Sequence, residues 1–235
     1  MYSSCVCGRY ALHAHPDVVA LQFGLDSEPQ LQPRYNVCPG TEVLIVRANR
    51  AGRRVADQYR WGLIPGWAKD SSIGNKLANA RGETLAEKPA FRNAFRQWRC
   101  LVPASGFYEW KTVAGSRHPW YLRPAGAGLF GLAGITELWN GIHTVSLITT
   151  SANELLSGIH DRMPVILQPH DYAAWLDRSN RDAHALLSLV RPYPADRMQA
   201  YPVSLRVNTP EHDDAGLIDE LQSGPFQPGL HLPGR

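Results

Sequence analysis

Three side chains of this sequence are of types that do chemistry together: the thiol of Cys7, the carboxyl group of Glu109 and the imidazole of His160. A nucleophile, a carboxylate and a histidine can supply an attacking atom and move the protons that its reaction releases. The chemistry open to them depends on the setting of each group and on the elements that position it.

Cys7 leads the tetrapeptide CGRY, close to the amino terminus. A cysteine that begins a protein has a free α-amine beside its thiol, a pair with chemistry that an internal cysteine lacks. Here residues 1–6, MYSSCV, precede Cys7. Whether Cys7 has that chemistry therefore depends on whether those residues stay attached.

Glu109 lies in the aromatic stretch FYEW, and His160 begins the polar triplet HDR, which runs directly into the apolar segment MPVIL. A carboxylate among aromatic side chains is either paired with a neighbouring charge or partly desolvated, in which case its pKa is raised. A raised pKa would suit Glu109 to acid–base catalysis.

Short strands dominate the predicted secondary structure, because runs of β-branched and aromatic residues are separated by Gly and Pro. A tight turn joins the first two strands as a hairpin, and residues 100–110 form two strands broken at Ser105 and Gly106. Residues 35–39 are an extended entry into the first strand. The predicted strands cover residues 42–47, 53–61, 100–110, 119–122, 129–135, 143–150, 163–167 and 201–207.

Helices are fewer and short. Ser151, followed three residues later by Glu154, predicts a capping box at the start of one of them. Residues 61–67 and 79–84 are predicted as loops. The predicted helices cover residues 15–24, 89–98, 151–159, 170–176 and 182–189.

This alternation predicts an α+β fold, with a curved, mainly antiparallel β-sheet or partly closed barrel at the centre and helices at the periphery. No Gly-rich phosphate-binding fingerprint follows a strand, which disfavours a doubly wound βαβ plan. With 235 residues, 44% of them apolar, the chain suits one large domain or two small ones.

Several classes of protein are disfavoured by composition. There is no run of about 18 apolar residues, so no membrane span is expected, and the first residues lack the pattern of a secretory signal. The cytoplasm is the expected location. The four cysteines, at positions 5, 7, 38 and 100, show no pairing pattern and should be reduced. Cys5 and Cys7 could form half of a metal site, but no second pair completes it, so neither a metal nor a cofactor is expected.

The formal charge of +3 is too small to show nucleic-acid binding, but arginines do cluster. Either a solvated basic face or a surface that binds phosphates would give this pattern. The clusters are Arg92, Arg96 and Arg99, near Arg81, and Arg53, Arg54 and Arg60, just before Trp61.

Several motifs follow one another along the chain: CGRY, YNVCPG, RWGLIPGW, NAR at 79–81, PASGFYEW at 103–110 and HDRMP at 160–164. In type and order they resemble one family, the SRAP family of SOS-response-associated peptidases or abasic-site processing proteins. The resemblance runs from Cys7 to about Leu221, and it implies an SRAP domain over residues 7–222. Residues 1–6 would be an extension, and residues 223–235 are predicted to be a disordered tail.

The resemblance implies that Cys7 is the catalytic residue and that it acts on abasic sites in single-stranded DNA. Its amine would condense with the sugar aldehyde to an imine, and its thiol would then close a thiazolidine ring, giving a covalent DNA–protein crosslink. Glu109 would be the general acid and base, His160 would move a proton at the sugar oxygen, and Asn79 would hold the sugar or the amine.

The resemblance also implies a DNA-binding surface. Arg9, Arg81 and Arg162 would contact phosphates, with ion pairs to Asp161 or Glu83 as the alternative. Trp110, Trp67 and Trp61 would stack on bases beside the lesion, with core packing equally open for Trp61. The protein would be a monomer, associated with the nucleoid when it is bound to DNA.

The chain departs from the family pattern at its start, because family members generally carry this cysteine directly after the initiator methionine. Three explanations stay open. Translation could begin at residue 6 if its codon is GTG, the protein could cleave its own Val6–Cys7 bond, or an uncleaved thiol of Cys7 or Cys5 could form a weaker, reversible adduct. Cys38 stands where the family more often has a small residue, and it is predicted to pack in the interior.

Two other functions remain as alternatives. The chain could be a noncovalent single-strand binding module, in which the basic and aromatic residues act and the nucleophile does not. It could also be a thiol autopeptidase without a DNA role, or a peptidase of other proteins, although no conventional Cys/His/Asn order is visible.

Overall fold

The structure is a computed structural model, and it describes residues 7–126 and 128–221. The predictions for residues 1–6 and 223–235 lie outside the described residues. The first of its two sheets is five-stranded and antiparallel throughout. Its strands, in spatial order, are β13 (Met198–Pro202), β8 (Ser116–Pro124), β7 (Gly106–Val113), β1 (Arg9–Leu12) and β2 (Arg34–Val37).

The second sheet contains a closed ring of five strands. These are β10 (Ile142–Ser151), β4 (Arg54–Trp61), β3 (Glu42–Ala48), β6 (Arg99–Ala104) and β9 (Phe130–Trp139), and β9 pairs back onto β10. The short strands β5 (Asn79–Arg81) and β11 (Arg162–Pro164) also pair with β10, and β12 (Ile166–Leu167) pairs with β9. The prediction of an α+β fold around a mainly antiparallel, partly closed barrel is confirmed.

Within the described residues, five short α-helices lie outside the sheets: α1 (Pro16–Phe23), α2 (Arg92–Gln97), α3 (Glu154–Ser157), α4 (Tyr172–Leu176) and α5 (Ala183–Leu187). They occupy positions that the sequence predicts, with shorter bounds. In the part of the chain that the structure describes, no helix has the length and apolar character needed to cross a membrane.

The predicted break between two strands at Ser105 is confirmed, and Gly106 explains the turn there. A Cβ atom on Gly106 would lie 2.4 Å from the Tyr121 ring and 2.5 Å from the Leu122 carbonyl oxygen. The chain crosses at this point from the ring into the first sheet, where the Ser105 amide donates to the Ala11 carbonyl at 2.7 Å. This crossing carries Glu109 towards the amino-terminal strand.

Four local predictions were wrong. Residues 79–81 form strand β5 instead of a loop, and residues 34–37 form strand β2, paired with β1, instead of a simple extended entry. The last strand is shifted to Met198–Pro202 because it pairs along β8, and a 3₁₀ turn, Leu205–Asn208, follows it. The cap of α3 is Asn153, whose side chain accepts from the Leu156 amide at 3.0 Å, because β10 still includes Ser151.

Carboxy-terminal turns fasten the two strands next to Cys7. The Asn36 side-chain amide donates to the carbonyl oxygens of Val207, Thr209 and His212 at 3.2, 3.1 and 2.8 Å. The Asp213 carboxylate accepts from the Asn36 amide at 2.9 Å, and also from Tyr35 and Arg34. Residues 207–213 therefore act as a strap, held by buried polar contacts across strand β2.

Arg99, at the start of β6, is a buried guanidinium surrounded by carbonyl groups. It donates to the carbonyl oxygens of Trp175, Phe95, Arg96 and Asn180 at 2.7–2.9 Å, and also to that of Asp177. Burial lowers the pKa of Arg99 to about 10, so the group stays charged at neutral pH. All five N–H donors of a guanidinium are thus used, and they tie helix α2 and the segment after α4 to the ring.

Candidate functional site

Cys7 and Glu109 are in direct contact. Strand β1 pairs with β7 in the register Arg9↔Tyr108, which brings the backbone just before β1 to Glu109. The Cys7 amide donates to Glu109 Oε1 at 2.7 Å, and the two residues are only 2% and 1% exposed. The structure therefore brings the predicted nucleophile and the predicted acid–base group together, across 102 residues of chain.

Strand alternation explains why the Glu109 carboxyl group points inward. Successive side chains of a strand face opposite sides, and Phe107 lies in the main core while Tyr108 belongs to a smaller cluster on the other face. Glu109 shares the side of Phe107. Burial raises the pKa of Glu109, and the bond from Cys7 and the charges of His160 and Arg117 only partly offset this. Of the two settings that the sequence allowed, partial desolvation is the one found.

The raised pKa of Glu109 makes the free energy of unfolding depend on pH, and this dependence can be measured. The folded protein binds the Glu109 proton more tightly than the unfolded chain does, so the free energy of unfolding falls as pH rises from the ordinary glutamate pKa to the raised one. Glu109→Gln removes this penalty and still accepts the Cys7 bond. We expect a higher Tm at pH 7, by about 2–4 °C for each kcal/mol relieved, and no such gain at a pH below about 4.

The matched control is Glu83→Gln, since Arg162 lowers the pKa of Glu83 through a side-chain hydrogen bond. A lowered pKa stabilises the folded state above the ordinary pKa, so this variant should lose Tm at pH 7. Thermal unfolding of both variants at the two pH values checks the signs. Equal shifts in the two variants would contradict the assignment of a desolvated Glu109.

The backbone of Cys7 has an unusual conformation, with φ at +51°. A residue with a side chain reaches such values rarely and at a cost of about 1–2 kcal/mol. The angle φ is defined by the carbonyl carbon of the preceding residue. The strain at Cys7 therefore exists only while residue 6 is attached.

His160 lies just before strand β11 and is partly buried. Its Nδ1 accepts from the backbone amide of Arg162 at 3.0 Å, which leaves the proton of a neutral ring on Nε2. Asp161 Oδ1 also lies 3.0 Å from Nδ1, a contact that is attractive only when Nδ1 carries a proton. Because the Arg162 amide is fixed by β11 while the Asp161 side chain is 86% exposed, the geometry favours Nδ1 as the acceptor, which places the N–H of a neutral ring on Nε2.

Strand β10 gathers the remaining predicted site residues. It pairs in parallel with β5, with Leu147 opposite Asn79 and Thr149 opposite Arg81, and on its other side with β11, with Ser151 opposite Arg162. Asn79 is half-buried and Arg81 is exposed. Asn79, Arg81 and Arg162 therefore meet at the carboxyl end of β10.

Arg162 forms the ion pair that the sequence left as an alternative. Its guanidinium bonds both carboxylate oxygens of Glu83, and Nη2 also donates to the Thr149 carbonyl at 2.8 Å. The Arg162 side chain is only 13% exposed. A phosphate would have to share this guanidinium with Glu83, so the geometry assigns Arg162 first to holding β5, β10 and β11 in register.

Arg9 is also engaged within the protein. Its Nη1 donates to the Asn36 side chain at 2.9 Å and to the Val207 carbonyl, and Nη2 reaches the Asn208 carbonyl at 3.3 Å. Through these neutral partners Arg9 links β1 to the carboxy-terminal strap. Sequence reasoning missed Asn36 and Asn208, because nothing local marks partners that lie 27 and 199 residues away.

The tryptophans predicted to stack on bases differ in setting. Trp61 is 1% exposed, and its Nε1 donates to the Ala78 carbonyl at 2.9 Å, so core packing is the alternative found for it. Trp67 is 61% exposed. Trp110 is half-buried, donates to Asn208 Oδ1 at 2.8 Å, and lies under the Arg117 guanidinium, 5.3 Å from its ring centre. Arg117, which also favours the ionised form of Glu109, was not singled out by the sequence.

The other described cysteines do not join this site. Cys100 is buried, and Cys38 is half-buried instead of fully packed, with its Sγ 3.4 Å from the Asn36 carbonyl oxygen. Burial raises the pKa of both thiols, which makes them poor nucleophiles at neutral pH. Within residues 7–126 and 128–221, no three His, Cys, Asp or Glu side chains come together to hold a metal.

Comparisons with known proteins agree on one family. The sequence model described as SOS response associated peptidase (SRAP) matches residues 6–210. The chain is 42% identical to the abasic site processing protein YoqW of Bacillus subtilis, over 91% of this chain and 99% of that protein. It is 30% identical to the abasic site processing protein YedK of Escherichia coli, over 92% of this chain and 100% of that protein.

A vertebrate protein and solved structures show the same likeness. The abasic site processing protein HMCES of Gallus gallus is 30% identical over 84% of this chain and 69% of that protein. A crystal structure of a protein from Bacteroides thetaiotaomicron superposes with a TM-score of 0.82 at 28% identity, covering 92% of this chain and 100% of that one.

Proposed function

The chain belongs to the SOS response associated peptidase (SRAP) family, and from that premise we propose that it processes abasic sites in DNA by covalent capture. It binds single-stranded DNA that contains an abasic site and forms a thiazolidine crosslink through the α-amine and thiol of Cys7. It acts as a monomer in the cytoplasm, at the nucleoid when bound. The names of its relatives, abasic site processing proteins, support the substrate.

One observation carries this proposal: the Cys7 nitrogen lies 2.7 Å from a buried carboxyl group whose pKa is raised. In a chain that begins at Cys7, the same nitrogen is an α-amine with an ordinary pKa of about 7.7–8.0. A carboxylate at hydrogen-bond distance can take the proton of the ammonium form and give it back later. Glu109 is thus placed to make the nitrogen nucleophilic.

The amine nitrogen attacks the aldehyde carbon of the open abasic sugar. The resulting carbinolamine loses its hydroxyl group as water, with Glu109 in its acid form supplying the proton to that group and then taking up the proton released from the nitrogen. This leaves an imine. The Cys7 sulfur adds to the imine carbon, the thiol proton passes to the nitrogen, and the five-membered thiazolidine ring closes without any oxidant or reductant.

His160 and Asn79 act on the sugar. Because Nδ1 of His160 accepts from the Arg162 amide, Nε2 is left as the donor, which suits it to protonate the ring oxygen as the closed hemiacetal opens to the aldehyde. Asn79, on β5 at the carboxyl end of β10, holds a sugar oxygen or the amine by hydrogen bonds. Both are proposed roles that follow from their place beside Glu109 and β10.

The DNA backbone is held by Arg81, which is exposed, and by Arg9 and Arg162 where their internal bonds leave donors accessible. Trp67 and Trp110 supply stacking surfaces for bases beside the lesion, each worth about 1–3 kcal/mol. No base needs to be flipped out, since the lesion has none and the strand is single.

The proposal requires that Cys7 becomes the first residue. The strained φ of Cys7 supports removal of residue 6, because release of that residue relieves the strain. The family match that begins at residue 6 supports a translation start there. A GTG start would place methionine at that position, and self-cleavage of the Val6–Cys7 bond would give the same amino terminus.

A denaturing gel tests the proposal. A protein prepared to begin at Cys7 should shift a labelled oligonucleotide with one abasic site into a covalent band, and Cys7→Ser should give none. Cys38→Ser is the matched thiol control and should crosslink normally. If the Cys7-first protein binds the oligonucleotide but gives no covalent band, the noncovalent binding module replaces this proposal.

Intact mass of the full chain after incubation decides how Cys7 is exposed. Loss of residues 1–6 in the wild type, but not in Cys7→Ser, would mean self-cleavage. Cleavage without any DNA binding would leave only the thiol autopeptidase.

A further inference from the structure

An open pocket of about 630 Å³ lies at the turn of the β3–β4 hairpin, away from Cys7. The hairpin forms one wall, and the segment after helix α4 forms the other. Four arginines line it: Arg50, Arg54, Arg178 and Arg181. Of the described residues that line it, Asp177 alone has a carboxylate.

Among the described residues, the carboxylates do not balance the positive charge of this pocket. The Asp177 carboxylate is engaged by its own turn, where it accepts from the Ser179 amide and hydroxyl at 2.8 and 2.7 Å. Among residues 7–126 and 128–221, no carboxylate forms an ion pair with Arg50, Arg178 or Arg181. Four guanidinium groups around one cavity repel one another, and an anion there removes that repulsion.

Two of the arginines are held in fixed positions. Arg178 lies over the ring of Trp98, 4.3 Å from its centre, and Trp98 remains 40% exposed. Arg54 donates to the Phe23 carbonyl at 2.9 Å and lies over Tyr172. A guanidinium that is already ordered loses little entropy when it binds a phosphate, and its planar fork fits two phosphate oxygens.

The pocket is distant from the Cys7 site. Strand β4 runs from Arg54, at the pocket, to Trp61, at the end where β10 pairs with it and continues alongside β5. The seven steps between the ends of this eight-residue strand span about 23 Å at 3.3 Å per step. Asn79 lies beyond Trp61 in the same direction, so one phosphate cannot touch both sites.

We propose that this arginine pocket is a second nucleic-acid site, which binds the phosphate backbone of a DNA strand at the Arg54 end of β4, about 23 Å along that strand from its Trp61 end. An acidic protein is the less favoured partner. The exposed Trp98 ring and the ordered guanidinium forks match the flat bases and bidentate phosphates of a polynucleotide. The site needs neither an abasic lesion nor a free amine at Cys7.

The test uses the full chain and undamaged oligothymidylate of about 30 nucleotides, long enough to span both sites. The variant is Arg50→Ala with Arg181→Ala. The control, Arg53→Ala with Arg191→Ala, removes the same charge from exposed residues that pair with Asp26 and Asp171 outside the pocket. Fluorescence anisotropy gives Kd over a series of salt concentrations.

We expect the pocket variant to bind about 5–20-fold more weakly than the control at low salt, with the slope of log K against log salt reduced by about 1.4, since two phosphate contacts at 0.7 each are lost. An oligothymidylate of about three nucleotides, too short to reach both sites, should show a smaller difference. Equal Kd and equal slopes for the two double variants would overturn the proposal.

A second measurement, of Tm with inorganic phosphate, distinguishes a polynucleotide site from a site for a small anion. Inorganic phosphate should raise the Tm of the wild type little at concentrations where the oligonucleotide saturates. If phosphate alone stabilises the wild type and not the pocket variant, while oligonucleotide binding is the same in both, the pocket is a phosphate site and the proposal fails. Because the binding test uses undamaged DNA, its result can be interpreted even if the protein does not form crosslinks.

Discussion

Glu109→Gln is expected to slow crosslinking by about 100-fold near pH 7, within the range of 10²–10⁴ that a positioned acid–base group contributes. The glutamine keeps the size of the side chain and the acceptor for the Cys7 nitrogen. It cannot take the proton of the α-ammonium or return one to the carbinolamine. Both proteins should be prepared to begin at Cys7, so that the rate of the covalent band is compared with the same amino terminus.

The pH dependence separates this role from a structural one. Above the amine pKa, about 7.7–8.0, the nitrogen is already free and the gap between the two proteins should narrow. Below the amine pKa, the crosslinking rate of the Glu109→Gln variant should fall tenfold for each pH unit, because the fraction of free amine falls tenfold. The wild type should hold its rate until pH falls to the Glu109 pKa, which burial raises above the ordinary value. Parallel profiles would contradict proton transfer by Glu109.

Arg99→Ala is expected to destabilise the fold by about 3–5 kcal/mol, because five buried or partly buried carbonyl groups lose a charged donor and a cavity remains. In a chain of this size that corresponds to a fall in Tm of about 6–20 °C. Thermal or urea unfolding measures it. Arg99→Lys keeps the charge but has only three donors, so its Tm should lie between those of the wild type and the alanine variant.

Arg96→Ala is the matched control, three residues earlier in the same segment. Its side chain is exposed, and its substitution should change the free energy of unfolding by no more than about 0.5 kcal/mol. Similar losses for the two alanine variants would mean that charge, and not the buried carbonyl contacts, accounts for the effect.

Elements with strong local patterns were predictable from the sequence, and the β3–β4 hairpin is an example. Alternating β-branched residues and a turn of Gly and Asn specify it locally. Strand β5 was not predictable, because its three residues, NAR, carry no pattern and it exists only by pairing with β10, far along the chain. Strand β13 was placed a few residues too late for the same reason, since its bounds follow its register with β8.

The candidate site also combines features that local sequence suggests with features that depend on long-range pairing. The desolvation of Glu109 follows from its aromatic neighbours, so the sequence could suggest it. The contact between Glu109 and the Cys7 nitrogen depends on the register of β1 against β7, which no local pattern fixes. The internal partners of Arg9 and Arg162 are equally invisible in local sequence patterns, although the sequence offers Glu83 as one alternative partner.

The carboxy-terminal strap is synthesised long after the amino-terminal residues that it helps to bury. Glu109 follows Cys7 by 102 residues, and Asp213 follows Asn36 by 177. At about 5–20 residues per second, the ribosome needs about 5–20 s to supply Glu109 and about 10–35 s to complete the strap across β2. Until both Glu109 and the strap have been synthesised, the backbone at Cys7 lacks partners that bury it in the finished fold. Enzymes that trim nascent chains can therefore reach this end of the protein early, and the finished fold closes over it.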